Sequence, residues 1–346
     1  MIEKIKKIYF NIFRGLHTFV SYWSKYEIHP KPSVMYAELT YRCTCKCGFC
    51  ERWKVGPKMS KNELTTNEWK TILTDAYRIG VRYVGFTGGE AFLRKDIFEL
   101  GKFAKDLGLN ITVASNGTLI NEKNVKRIAD TFDSVTISMD GIERGTHDLI
   151  RGVKGVYDSA TKALALLKEQ GVPLAVNMVI TASNYSEIDK YIDFFGKRNI
   201  PIQLTPVHNY ETSFLKVKEE LRDINPGEFR KVWNNLSKKH HFLNNFFYSE
   251  VPTFFENPKK LLNKYTCFAG SVMFFLNPYG EVFPCEFNRV SMGSLRNEPL
   301  KKIWEKAKKL RKNISSSKRS CICWTHCVVP LNNNLSRYIC WGTNHL

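Results

Sequence analysis

Residues 51–266 contain no cysteine, although the chain has ten. Secreted disulfide-bonded proteins are usually short and use cysteine throughout. The long gap therefore argues against a disulfide framework and for thiols working in a reducing compartment. Long apolar runs are missing as well. No stretch reaches the roughly 20 residues of a membrane-crossing helix, and no secretory signal with a small-residue cleavage site is visible. The expected location is cytoplasmic. Acidic residues are scarce beside basic ones, 33 against 52, for a formal net charge of +19. Such an excess points to an anionic membrane surface, nucleic acid or a phosphorylated substrate. No recognised nucleic-acid-binding module accompanies the charge, so nucleic acid is not an expected partner. Apolar residues are not short: 43% of 346 residues are hydrophobic, enough for one large domain with a smaller one.

Cysteine is concentrated at the two ends. Between them, short β-rich runs alternate with amphipathic stretches. The runs fall at 34–39, 81–87, 110–115, 134–139, 174–181 and 200–205, and the helical stretches at 66–79, 96–107, 121–131, 156–170 and 186–198. This order predicts right-handed βαβ units, a parallel sheet and a partial (β/α)6 barrel. Period-two reading puts Glu38 with Thr40, Thr136 with Ser138 and Asp140, and Gln203 with Thr205 on single faces, with Asn177 mid-strand. The opposite faces are apolar (Ala37/Leu39, Val135/Ile137, Ile202/Leu204). A parallel sheet covered on both sides is normally apolar throughout, so a polar face predicts a wet or ligand-filled interior. After residue 206 the pattern changes to loops and helices, a hairpin over 273–287 and a basic helix over 299–313. The expected domains are an N-terminal amphipathic helix and linker (1–33), the barrel (34–210) and a C-terminal α+β extension (211–346).

The stretch "YRCTCKCGFC" sets Cys43, Cys47 and Cys50 as C-x3-C-x2-C on the loop after the first strand. Zinc sites usually pair C-x2-C knuckles with four ligands, whereas three cysteines on one loop suit a [4Fe–4S] cluster with one iron left open. Cys45 reads as a spare. "TGGE" (87–90) follows the second strand, "SNG" (115–117) the third and "SMDG" (138–141) the fourth. Together these motifs resemble the radical S-adenosylmethionine (radical SAM) superfamily over about residues 34–206. The resemblance implies that S-adenosylmethionine chelates the open iron, that its reductive cleavage yields a 5′-deoxyadenosyl radical, and that this radical abstracts hydrogen from an unactivated C–H bond. It places Cys43, Cys47 and Cys50 as cluster ligands and catalytic residues. It further implies that Gly88, Gly89 and Glu90 meet the methionine amino group, that Asn116, Ser138 and Asp140 lie beside the ribose and methionine, that Arg151 meets the carboxylate, and that Phe49 lies near adenine. A reductant such as ferredoxin or flavodoxin is the implied partner.

Cys267 and Cys285 flank the hairpin as C-x12-G-x4-C about Gly280, followed by Cys321, Cys323, Cys327 and Cys340. This looks like the auxiliary-cluster extension of the same superfamily, SPASM or its shorter form Twitch. The full form carries seven cysteines after the barrel; here there are six. One auxiliary [4Fe–4S] cluster is therefore expected on Cys267, Cys285, Cys323 and Cys327. Cys321 can replace Cys323, Cys340 is a free thiol or a ligand, and a structural zinc site is the plain alternative.

In the first 23 residues, apolar side chains from Ile2 to Trp23 recur at spacings of 3 and 4, with Lys4, Lys7 and Arg14 among the residues around the other side. Such a helix lies in a membrane interface or packs on the barrel. With the basic helix near 301–312 it predicts peripheral contact with the inner face of the cell membrane. The expected substrate is therefore a membrane lipid chain, modified by C–C coupling or a related reaction. The alternative is maturation of a ribosomally made peptide, and the non-enzyme alternative is an iron–sulfur electron carrier. His208 and Tyr210, just past the sixth strand, are candidates for substrate contact.

Overall fold

The computed structural model describes residues 16–209, 214–316, 319 and 321–326. Residues 1–15 of the expected amphipathic helix, Tyr210, Lys318, Cys327 and Cys340 lie outside the described residues. Six parallel strands follow one another across the sheet: β1 (Val34–Thr40), β2 (Tyr83–Gly88), β3 (Asn110–Ser115), β4 (Ser134–Ser138), β5 (Leu174–Ile180) and β6 (Ile202–Pro206). β7 (Met273–Leu276) adds to the free edge of β1, parallel to it, and β8 (Glu281–Phe283) and β9 (Gly293–Ser294) continue antiparallel. The hairpin of the C-terminal extension thus belongs to the same nine-stranded sheet as the barrel. All four residues of β7 are buried, as a strand covered on both faces requires.

Thirteen α-helices are described: α1 (16–23), α2 (Arg52–Met59), α3 (Thr66–Ile79), α4 (Ile97–Asp106), α5 (Val125–Thr131), α6 (Arg144–Arg151), α7 (Val156–Glu169), α8 (Ile188–Gly196), α9 (Glu219–Arg222), α10 (Pro226–Lys239), α11 (Val251–Glu256), α12 (Leu300–Lys306) and α13 (Lys308–Ser315). α3 begins on a capping box, with Thr65 and Glu68 each accepting from the other's backbone N–H. It ends on left-handed Gly80, and the Val81 N–H still bonds back to the Ala76 carbonyl. β2 therefore starts two residues later than its apolar run. β6 is delayed in the same way, because Asn199 turns left-handed and the Ile200 N–H closes on Phe195. The basic helix breaks at Ala307, where the Arg311 side chain donates to the Trp304 carbonyl.

The outer sheet face (Met35, Ala37, Val84, Ile111, Val135, Val176, Leu204) is buried with helix residues such as Trp69 and Leu100 in one apolar cluster. The inner face keeps the predicted polar side chains. Thr112, Thr136, Ser138, Asn177, Gln203 and Thr205 are half-buried and line a cavity of about 590 Å³. In α1, Phe19 and Tyr22 pack on Phe268 and Val272, while Leu16, Val20 and Trp23 are exposed.

Candidate active site

The site forms where the parallel strands end. The cysteine loop leaves β1 and is stitched down by backbone bonds. The Lys46 and Gly48 N–H groups donate to the Arg151 and Ile150 carbonyls at the end of α6, at 2.9 and 3.1 Å. The Gly89 and Glu90 N–H groups donate to the Thr40 and Arg42 carbonyls, at 2.7 and 2.8 Å. Only glycine permits this last approach. A Cβ on Gly88 would lie 2.2 Å from the Thr40 oxygen at a φ of +130°, and one on Gly89 would lie 2.2 Å from the Arg42 oxygen.

Cys43, Cys45, Cys47 and Cys50 line a smaller cavity of about 170 Å³ with Phe49, Gly88, Gly89, Asn116, Ser138 and Arg151. Phe49, Arg52, Gly88, Ser138 and Arg151 also line the larger cavity, so the two adjoin. Asn116 Nδ2 points to Cys43 Sγ at 3.8 Å and to Thr44 Oγ1 at 2.9 Å. Arg151 pairs with Asp140 at 2.6 Å, reaches Cys47 Sγ at 3.7 Å and lies over the Phe49 ring. Glu90 and Asp140 stand behind the cavity walls. Glu90 accepts from Ser115 Oγ (3.0 Å), the Asn116 N–H (2.8 Å) and the Phe92 N–H (3.2 Å), and burial pushes its carboxyl up. It braces the turn after β3. Asp140 accepts from the Val179 N–H at 2.9 Å.

The sequence reading missed a buried charge network on the wall of the larger cavity. Arg52 donates to Glu38 from Nε and Nη2, at 3.1 and 2.6 Å, and to Glu286 at 2.5 Å. Arg289 donates to both oxygens of Glu38 at 2.9 Å and to Glu286 at 2.8 Å. Desolvation alone would raise Glu38; the charges of Arg289 and Arg52 outweigh it and hold the carboxyl at about 2. Period two had marked Glu38 as inward-facing. Its partner Arg289 lies 251 residues away in sequence and leaves no local signal.

His208 lines the larger cavity, but its ring nitrogens are engaged: Nδ1 with the Pro206 carbonyl at 2.6 Å, and Nε2 accepting from the Trp324 N–H at 2.9 Å. Burial pushes its pKa down to about 3, so it is a neutral strut between β6 and the last cysteine segment. His326, at the same end, lies 3.2 Å from the Tyr248 hydroxyl and is held down at about 4 by burial.

The second cysteine set also assembles. Cys285 Sγ accepts from the Asn288 N–H at 3.2 Å, and Asn288 Nδ2 points to Cys321 Sγ at 3.9 Å. The Tyr265 hydroxyl bonds the Cys323 carbonyl at 3.2 Å and lies 3.7 Å from Cys323 Sγ. Burial pushes the Cys285 thiol up, and the Cys267 and Cys321 thiols add to the rise. Among the described residues, no disulfide joins any two of the eight described cysteines. Among the described residues, no three cysteine sulfurs gather within 4.8 Å of one another. Iron–sulfur clusters are held by cysteine thiolates, and both sets offer them.

Two family models match the chain: the radical SAM superfamily over residues 37–195, and an iron-sulfur cluster-binding domain, SPASM, over 267–328. The AdoMet-dependent heme synthase of Methanosarcina barkeri (strain Fusaro / DSM 804) is 26% identical over 303 residues, covering 81% of this chain and 84% of that protein. The PqqA peptide cyclase of Rhizobium meliloti (strain 1021) is 27% identical over 281 residues, covering 79% and 73%. Among solved structures, Streptococcus suis SuiB bound to S-adenosylmethionine aligns with a TM-score of 0.66 at 20% identity, covering 87% of this chain and 71% of that one. Native anSMEcpe with bound AdoMet and the Cp18Cys peptide aligns with a TM-score of 0.60 at 17% identity, covering 91% and 98%. These two likenesses show the shared fold.

Proposed function

The chain belongs to the radical SAM superfamily and carries the SPASM domain, and from that premise we propose that this enzyme modifies a peptide held in the larger cavity. The cofactors are a [4Fe–4S] cluster with S-adenosylmethionine and an auxiliary cluster, and the two thiol sets fit them. Cys43, Cys47 and Cys50 would hold the first cluster. Cys267 and Cys285 would hold the second, with Cys323 or Cys321 and with Cys327. When bound, the first cluster and S-adenosylmethionine supply the one-electron chemistry by which this superfamily attacks unactivated C–H bonds.

The observation that carries the peptide reading is the cavity wall. Thr112, Thr136, Ser138, Asn177, Gln203 and Thr205 present hydroxyls and carboxamides to the cavity, which Phe49, Leu215, Phe275 and Phe287 also line. Thr205 Oγ1 already donates to Asn177 Oδ1 at 3.0 Å; a hydrocarbon chain would leave the other polar groups of this wall unpaired, at a cost of about 1–3 kcal/mol each. A peptide backbone satisfies that wall and sets its side chain against the aromatics. The lipid substrate expected from the sequence therefore gives way to its alternative, in line with the peptide cyclase relative and with SuiB, solved bound to precursor peptide SuiA. A polycarboxylate such as a heme precursor fits less well, because the cavity's arginines, Arg52 and Arg151, are already ion-paired.

The chain's own residues then have distinct tasks. Gly88 and Gly89 let backbone close on the cofactor, Asn116 and Arg151 orient the cysteine loop, and the aromatic wall excludes water from the reacting C–H bond. A one-electron donor such as ferredoxin or flavodoxin belongs to the same reading. Among the described residues no helix is long and apolar enough to cross a membrane. Peripheral membrane contact rests on exposed Leu16, Val20 and Trp23, with α13 ion-paired to the chain just beyond them through Lys308 and Glu27. Deleting residues 1–23 is expected to weaken binding to anionic vesicles.

The test is mass spectrometry of what co-purifies with the full chain under anaerobic conditions. A peptide bound in the parent and lost in Asn177→Leu/Gln203→Leu supports the reading. A lipid or a tetrapyrrole in its place overturns it.

A further inference from the structure

The buried charge network on the cavity wall does more than join two parts of the chain. It runs between the two cysteine sites. Arg52 lies two residues after Cys50, and its Nη1 points to Cys50 Sγ at 3.7 Å. Its Nη2 bonds Glu38 at 2.6 Å and Glu286 at 2.5 Å. Glu286 follows Cys285 directly, and the same short turn supplies the Asn288 N–H to Cys285 Sγ at 3.2 Å. One guanidinium therefore touches a sulfur of the first site and the acid beside a sulfur of the second. The side chain is almost fully buried, where a charge is poorly screened.

We propose that Arg52 is a positioning residue that sets the reduction potential of the first cluster and couples it electrostatically to the second through Glu286. This rests on the reading that Cys43, Cys47 and Cys50 hold an iron–sulfur cluster. A donor and a positive charge at a ligand sulfur stabilise the more negative, reduced state. Glu38 and Glu286 temper that charge, so the field at Cys50 is the balance of one cation against two shared acids. Arg289 is the internal control. It carries the same charge in the same network, but its bonds go to Glu38, Glu286 and Tyr41. Loss of either arginine disturbs the packing of the network. Only loss of Arg52 removes the contact to Cys50.

The experiment is a potentiometric titration of the anaerobically reconstituted full chain, followed by electron paramagnetic resonance. Iron per chain is measured in parallel. The first cluster is identified as the signal that changes on adding S-adenosylmethionine. Arg52→Gln is expected to keep the parent's iron content and to move that signal to a lower potential. Arg289→Gln is expected to move it distinctly less. Glu286→Gln, which relieves Arg52 of one acid, is expected to move it upward. Equal shifts in Arg52→Gln and Arg289→Gln, or no shift in Arg52→Gln, would overturn the inference. If Arg52→Gln fails to take up iron, Glu286→Gln decides, and an unchanged potential there overturns it. A parent protein with iron but no signal responsive to S-adenosylmethionine would instead overturn the reading of the first site on which the inference stands.

Discussion

Replacing Glu38 by Gln tests the charge network as a structural element. Glu38 accepts five hydrogen bonds, two from Arg52, two from Arg289 and one from the Tyr41 hydroxyl. The amide keeps the shape and removes the charge, leaving two buried guanidinium groups to share Glu286. Breaking a buried ion network from one side costs about 3–5 kcal/mol. The carboxyl's own shift, from 4.5 to about 2, corresponds to roughly 3 kcal/mol and agrees in size. For a chain of 346 residues that loss lowers the thermal midpoint by about 4–7 °C. The sign with pH follows from the depressed value: the contribution is complete above about 4.5 and is lost as pH falls toward 2. The assay is anaerobic calorimetry of parent and Glu38→Gln near neutral pH. A shift under about 1 °C would refute the view that this network holds β1 to the hairpin after β7.

Gly89→Ala forces a Cβ to 2.2 Å from the Arg42 oxygen and 2.7 Å from the Tyr41 oxygen, both backbone atoms. It is expected to cost about 1–3 kcal/mol and to abolish binding of S-adenosylmethionine by equilibrium dialysis. The Cys45 N–H donates to Cys43 Sγ at 3.4 Å, and Cys45 lines the same cavity as Cys43 and Cys47. Cys45→Ala is nonetheless expected to keep the parent's iron content, while alanine at Cys43, Cys47 or Cys50 loses about four iron per chain. His147, His208 and His326 are kept neutral by burial, at about 3, 3 and 4. Their folded values lie below the ordinary 6.5, so stability is full above that pH and falls as pH drops below it, by up to about 1.4 kcal/mol per pH unit for each. Thermal midpoints that stay level from about pH 7.5 to 5.5 would contradict this.

What was legible in the sequence is what local chemistry encodes. The cysteine loop, the Gly88–Gly89 turn and the polar inner face are each written within one loop or one strand, and the structure brings them to the carboxyl ends of β1 to β6. Strand starts were misplaced at Val81 and Ile200 because each N–H still closes the preceding helix, a backbone bond that hydropathy does not register. α2 was missed because Pro57 sits inside it, and α6 because "RGTHDLIR" presents so few apolar residues. Non-local pairings were not legible at all. Arg52 and Glu286 are 234 residues apart, and neither segment hints at the other. His208 shows the converse: it faces the predicted cavity, yet bonds at both ring nitrogens make it a strut.

Radical chemistry at this site requires that the loop of Cys43, Cys47 and Cys50 leave an iron free for S-adenosylmethionine. Electron–nuclear double resonance on the reduced, reconstituted chain, with the methionine nitrogen of the ligand isotopically labelled, measures this. A hyperfine coupling from that nitrogen is expected in the parent and none in Cys50→Ala. A parent cluster with full iron content and no coupling to the labelled nucleotide would contradict it.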